Sequence, residues 1–407
     1  MSDAQLPVGR AGRATRRRRS QLLAPTLNRR SFLKGLGAAG VGAVGLTACA
    51  SSTSSREVDL GRSDALQILN WEDYIDADDD GDIYYVGGTL DAMAGLGLDV
   101  AYEAGYADNI DGFQLVLDQA VNVDVPAWDI VVPTNWRAAE MIANGWAEPL
   151  PIELIPNHVN IDPVFLTNSW DRGCRFQMPW QAGVTGIAYD PALTGGPLTS
   201  VLDLFNPELA GRVSFIGEMR EAVGLVMLAN GDDPSRPKTE AADAAFDIIF
   251  DSFVSGQIKA FTFNEFSDLL AAGEVAAAMA WSGDVALLQA DRPDIEFIIP
   301  DEGAIQWFDT MVIPRGSTSI AAAGRFMDFV YDPENAATIT EWVSYISPVL
   351  GVQDVLTARG GAAADLARSP VLFPDDVTRN RLFTWGGLDP ADEQDLDDRY
   401  AQLVEGP

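Results

Sequence analysis

From Ala65 onward the chain alternates short apolar runs with amphipathic stretches, and that alternation narrows its possible folds most sharply. Leu66-Gln67-Ile68-Leu69, Leu98-Asp99-Val100-Ala101-Tyr102 and Trp128-Asp129-Ile130-Val131-Val132-Pro133 read as buried strands that each end at a loop. Between them, residues 112–120 and 137–144 carry helical periodicity. Strand, helix, strand in repetition predicts an α/β domain with a largely parallel sheet. A second block repeats the pattern, with strands at 184–188 and 213–216, a helix near 222–230, and strands at 275–281 and 295–299. One more strand at 309–314 precedes a helix over 320–330, and 241–253 and 267–272 are helical by period. Ligands of such sheets bind beyond the carboxyl ends of the strands. The loops starting at Asn70 and Pro133 stand there, and both carry a Trp.

The first fifty residues are an address and lie apart from the fold. Asn28-Arg29-Arg30-Ser31-Phe32-Leu33-Lys34 leads into a weakly apolar run ending Leu46-Thr47-Ala48-Cys49. Twin arginines, a short hydrophobic segment and a cysteine after small residues predict a twin-arginine lipoprotein signal over 1–48, cut before Cys49 and lipidated on its sulfur. The run from 35 to 48 is shorter than the roughly 20 apolar residues of a membrane span. Residues 49–64 are small and polar, a flexible tether.

Removing the leader sharpens the charge. Residues 1–48 hold nine of the 27 basic residues and one of the 60 acidic ones, which leaves 18 basic and 59 acidic residues and a formal charge of −41. Such a field repels nucleic acid and draws cations, although most of it is explained by solubility or salt adaptation. With Cys49 committed to lipid, Cys174 is alone and no intrachain disulfide is expected. The single histidine, His158, falls in a surface-like connection, Pro156-Asn157-His158-Val159. No His/Cys metal cluster and no Ser–His or Cys–His pair can be assembled, and no Gly-x-x-x-x-Gly-Lys nucleotide loop is present. No enzyme, cofactor or metal is therefore expected. Asp76 to Asp82 imitates the opening of a calcium loop, but Gly87 stands where a bidentate Glu belongs, so the stretch reads as a solvated turn.

Carboxylates placed beside aromatics carry the functional argument. Asn70-Trp71-Glu72-Asp73-Tyr74 and Gln306-Trp307-Phe308-Asp309 each combine the two, Gly217-Glu218-Met219-Arg220-Glu221 sets two acids just after the strand expected over 213–216, and Met279-Ala280-Trp281-Ser282-Gly283 sets a Trp at a strand end. An organic cation leaving water needs a carboxylate partner, while ring faces attract its charge and cover its methylenes. Each tract alone is better explained as a core Trp beside a surface acid.

The order of the tracts resembles the polyamine-binding proteins of bacterial ABC importers, of the spermidine/putrescine type. Asn70-Trp71-Glu72-Asp73-Tyr74 is similar to that family's Asn-Trp-Thr-Glu-Tyr, and Trp128-Asp-Ile-Val-Val-Pro-Thr134-Asn-Trp136 to its Tyr-Asp-Leu-Val-Val-Pro-Ser-x-Tyr. Asp203-Leu-Phe-Asn-Pro-Glu-Leu-Ala-Gly211 with Glu218 and Arg220-Glu221, then Gly303 to Asp309, then Tyr345-Ile-Ser-Pro348, continue the series colinearly from about Leu66 to Leu403.

The resemblance implies a two-lobed type II periplasmic-binding-protein fold with a ligand cleft between lobes. Lobe 1 would comprise 65–182 plus 308–352 and lobe 2 would comprise 183–307 plus 353–407, with crossings near Gly183, Trp307 and Gln353. It also implies that Trp281 and Trp307 sandwich the methylene chain, with Trp71, Tyr74, Trp136 and Tyr345 as further walls. Glu218 and Glu221 would hold one ammonium, Asp309 another amine, and Glu72 and Thr134 smaller polar contacts. Glu218 where the family often has Asp, and Gly386 after Trp385 where it has Gln, leave the preferred amine open. The implied protein is a monomeric, lipid-anchored extracytoplasmic subunit that delivers putrescine or spermidine to an ABC permease and its ATPase. A polyamine-sensing receptor subunit, a sugar-binding protein and a carboxylate-based glycosidase are the competing readings.

Overall fold

The computed structural model describes residues 64–106, 109, 111–117 and 124–406, apart from residue 79. The leader and Cys49 lie outside the described residues. Ten strands join one sheet among the described residues: β1 (Ala65–Trp71), β2 (Asp99–Tyr106), β3 (Ile130–Val131), β4 (Gln177–Tyr189), β5 (Val213–Ile216), β6 (Ile258–Thr262), β7 (Ala277–Trp281), β8 (Glu296–Ile298), β9 (Ala304–Val312) and β10 (Leu382–Phe383). Their order is β2-β1-β3-β9-β4-β7-β5-β6, with β10 paired to β9 and β8 to β4.

The parallel sheet expected from the sequence is present as two parallel sets. β1 lies between β2 and β3 and parallel to both, and β5 stands in the same relation to β6 and β7. Between the sets, β4 and β9 run antiparallel to each other and to their flanking neighbours.

These two long strands serve two hydrophobic cores. β4 is buried along its whole length, giving Ala182 and Val184 to the first core and Ile187 to Tyr189 to the second. β9 gives Ile305 to the second core and Phe308 and Met311 to the first. Both strands begin earlier than apolar patterning indicated, because Gln177, Gln181 and Thr185 interrupt β4 and Gln306 interrupts β9. Burial of Gln177 is tolerated because its side chain is hydrogen-bonded to Thr310 and Cys174. The edge strand β6 and the two-residue β10 were not legible.

One boundary differs from expectation. Residues from 353 onward were assigned to lobe 2, but Leu356, Ala363 and Ala367 pack in the first core. The helix Val352–Arg359 lies against the helix Pro333–Val343, and Arg359 reaches Glu341 at 3.1 Å. The third crossing instead falls at β10, where Leu382 packs on the first core and Phe383 on the second; Leu396, Tyr400 and Leu403 of the C-terminal helix Pro390–Glu405 complete the second core.

The unused polar motifs have local roles. Asp78 accepts from the backbone N–H of Asp80 (3.0 Å) and Asp82 (2.9 Å), and Asp76 turns inward to Thr89 N–H (2.9 Å) and the Tyr85 hydroxyl (3.0 Å). These acids order a turn, and among the described residues no His/Cys/Asp/Glu group is arranged to hold a metal. His158 sits in a 3-10 turn with Nδ1 2.5 Å from the Ile155 carbonyl oxygen. Cys174 is a buried free thiol, pushed up to about 12 by burial. No helix among the described residues is long and apolar enough to cross a membrane.

Candidate functional site

Loops at the carboxyl ends of β1, β5 and β7, with β9 and the segment around Tyr345, enclose a cleft of about 470 Å³. Glu218, Glu221 and Asp309 line it, and all three are buried. The local fold explains their position. β5 ends at Ile216; Glu218 occupies the N-cap position of the helix Met219–Ala229 and Glu221 its first turn, where the helix dipole favours negative charge. Asp309 lies on β9 and accepts from the Thr134 hydroxyl (2.7 Å) and the Tyr74 hydroxyl (2.8 Å). Glu221 accepts from Thr185 and from Trp281 Nε1 (2.7 Å). No Lys or Arg is among the described residues lining the cleft.

Aromatic walls complete it. Trp71 donates Nε1–H to the Val132 carbonyl (2.9 Å), which fixes its ring at the end of β1. Tyr74 and Tyr345 meet edge to face at 5.6 Å, and Tyr345 lies 5.4 Å from Trp307. Close approach of these rings requires glycine: a Cβ on Gly183 would enter the Trp307 ring, and one on Gly283 the Tyr345 ring. Trp281 and Trp307 stand at 6.3 Å and 74°, edge to face. Both indole N–H groups converge on one cluster, Trp281 on Glu221 and Trp307 on Thr185 (3.1 Å). Glu72 lines the cleft at its exposed rim.

Ten of the eleven expected binding residues therefore line one cleft, and Trp136 does not. Its ring is covered by two guanidiniums, Arg220 at 3.5 Å and Arg137 at 4.1 Å. Arg220 is held in turn by Asp397 (3.0 and 2.8 Å) and Glu393 (2.8 Å) of the C-terminal helix. Five polar lining residues, Asp73, Asn109, Asn264, Glu265 and Asp284, were not among those expected, and two of them hydrogen-bond to expected ones. Asp284, in the first turn of the helix Ser282–Asp291, accepts from the Tyr345 hydroxyl (2.5 Å) and Asn264 (3.2 Å); its signal was an acid three positions after Trp281. Asn109 donates to Glu218 Oε1 (3.0 Å) and had no signal.

Burial without a cation makes the carboxyls reluctant to ionise. Glu221 is pushed up to about 8, first by burial and then by the negative charge of Glu218, against the hydrogen bonds from Thr185 and Trp281. Asp309 is raised to about 7 by burial, opposed by Thr134 and Tyr74. Glu218 is also raised by burial, and Asp284 reaches about 6 for the same reason. The arrangement is an acidic slot whose buried carboxyls gain from pairing with an incoming cation.

Residues 93–368 match the family model described as bacterial extracellular solute-binding protein. The chain is 23% identical over 255 residues to spermidine/putrescine-binding periplasmic protein 1 of Haemophilus influenzae, covering 62% of this chain and 69% of that one. It is 25% identical over 345 residues to the putrescine-binding periplasmic protein PotF of Escherichia coli, covering 80% and 87%. Its fold superposes with a TM-score of 0.68 on the spermidine/putrescine ABC transporter substrate-binding protein PotD of Streptococcus pneumoniae, at 24% identity over 84% of this chain and 100% of that one.

Proposed function

The chain belongs to the bacterial extracellular solute-binding proteins, and from that premise we propose that it captures a polyamine, putrescine or spermidine, outside the cytoplasmic membrane and delivers it to an ABC importer. The observation that carries this reading is the set of three buried carboxylates, Glu218, Glu221 and Asp309, in an aromatic cleft with no Lys or Arg among the described residues that line it. A sugar needs hydrogen-bonding groups and no excess of buried negative charge; an alkyl polycation needs both acids and ring faces. The names borne by the Haemophilus influenzae and Escherichia coli relatives support the same choice.

In this reading Glu218 and Glu221 hold one ammonium, Asp309 holds an amine along the chain, and Asp284 answers the remaining end. Trp71, Tyr74, Trp281, Trp307 and Tyr345 cover the methylenes, with Glu72 and Thr134 as polar contacts. The lobes close over the ligand by hinge motion along β4 and β9. The leader over 1–48 exports the chain by the twin-arginine route, and lipid on Cys49 keeps a monomer at the membrane beside its permease and ATPase.

A thermal-shift panel of putrescine, spermidine, cadaverine and neutral sugars tests the ligand class. The amines are expected to raise the unfolding midpoint in a saturable way. A shift produced by sugars alone refutes the proposal.

A further inference from the structure

One buried acceptor in the cleft wall lacks a donor. Asn109 is 5% exposed and lines the cleft next to Glu218. Its Nδ2 donates to Glu218 Oε1 at 3.0 Å, and its Oδ1 has no hydrogen-bond partner among the described residues. Beside an ionised Glu218 the amide does not gain by turning over, since a carboxylate only accepts and needs the nitrogen side. A buried carbonyl oxygen left without a donor is costly, and natural structures rarely keep one idle.

The surrounding residues hold Asn109 in this pose. Its backbone carbonyl accepts from Arg137 Nε at 3.0 Å. The Arg137 guanidinium lies over Trp136 and, at 4.6 Å, over Phe113. Arg220, fixed by Asp397 and Glu393, covers Trp136 as well. Trp136, which the resemblance implied to be a ligand wall, is thus part of a scaffold behind Asn109.

We propose that Asn109 is a ligand-binding residue whose Oδ1 accepts an N–H from the ammonium paired with Glu218, so that amide and carboxylate seat one amine end together. This rests on the polyamine reading above. A primary ammonium brings three donors that must each be matched when it leaves water. Glu218 and Glu221 supply charge, and Asn109 supplies a neutral acceptor beside them. The seat therefore favours a primary amine over a quaternary one, which has no N–H to give.

Calorimetric titration of the purified protein with putrescine tests this through a double-mutant cycle. Asn109→Ala is expected to raise Kd about tenfold, and to do so again in the Glu218→Gln background. Asn109→Leu, which keeps the bulk of the side chain, should give the same loss with an unchanged unfolding midpoint. If the loss vanishes in the Glu218→Gln background, Asn109 only orients Glu218 and the proposal is overturned. Unchanged affinity in both Asn109 variants also overturns it. A wild-type protein that binds no amine overturns the polyamine reading and this inference with it, a result distinct from the other two.

Discussion

Amine capture by this cleft should be coupled to proton release. Asp309 and Glu221 sit at about 7 and about 8, so at pH 6 about nine in ten Asp309 and nearly all Glu221 carboxyls carry a proton. An alkyl ammonium stays charged throughout this range, as lysine does. If both carboxyls must ionise to pair with it, the free-energy cost of removing their protons is about 1.4 kcal/mol per pH unit below each value. Between pH 8 and pH 6 the affinity should then fall by roughly 500-fold, or about 4 kcal/mol. Near pH 7 binding should release about 1.4 protons, half of one from Asp309 and most of one from Glu221. Titrations at pH 6, 7 and 8, repeated in buffers of different ionisation enthalpy, measure both quantities. The sign for unliganded stability is opposite. Both pKa values are raised in the folded state, so their contribution is fully present below about pH 4 and is lost as pH rises through about 7 and 8. Affinity constant within twofold from pH 6 to 8, with no proton exchange, would refute the coupling.

Asp309→Asn keeps the shape but removes the charge and one of the acceptors used by Tyr74 and Thr134; amine affinity should drop by about 1.5 to 3 kcal/mol by calorimetry. Arg220→Ala strips a buried guanidinium from Asp397, Glu393 and the face of Trp136; urea unfolding should show a loss of about 2 to 4 kcal/mol. Cys49→Ala should move the protein from the membrane fraction to the soluble extracytoplasmic fraction after cell fractionation.

Glu218 and Glu221 were legible because they follow a strand end, and Asp309 because it stands two positions after Trp307, local patterns that survive without a structure. Glu218 and Glu221 fall three apart at a helix start, and the strand before them, Val213–Ile216, is apolar apart from Ser214. Trp136 was misplaced because the group that covers it, Arg220, is distant in sequence and reaches it only through the folded chain. Asn109 gave no signal, since an isolated amide in a loop looks like any solvated turn. Asp284 was hidden behind Trp281, whose ring drew the attention that the acid three positions later also merited. The extent of β4 was masked by Gln177, Gln181 and Thr185, and the burial of Gln177 and Thr185 depends on cross-strand partners, Thr310 and Trp307, that no local pattern shows.

In the proposed function, buried carboxylates on aromatic walls select an organic polycation, beyond whatever the acidic surface collects. Calorimetric titration of residues 50–407 with putrescine and spermidine, at moderate and at high salt, tests it most directly. Saturable one-to-one binding of micromolar or tighter affinity that persists at high salt is the predicted result, because charges inside the cleft are screened far less than those on the surface. Weak multi-site heat that disappears with salt would contradict the account and leave the −41 exterior as the only feature that attracts amines.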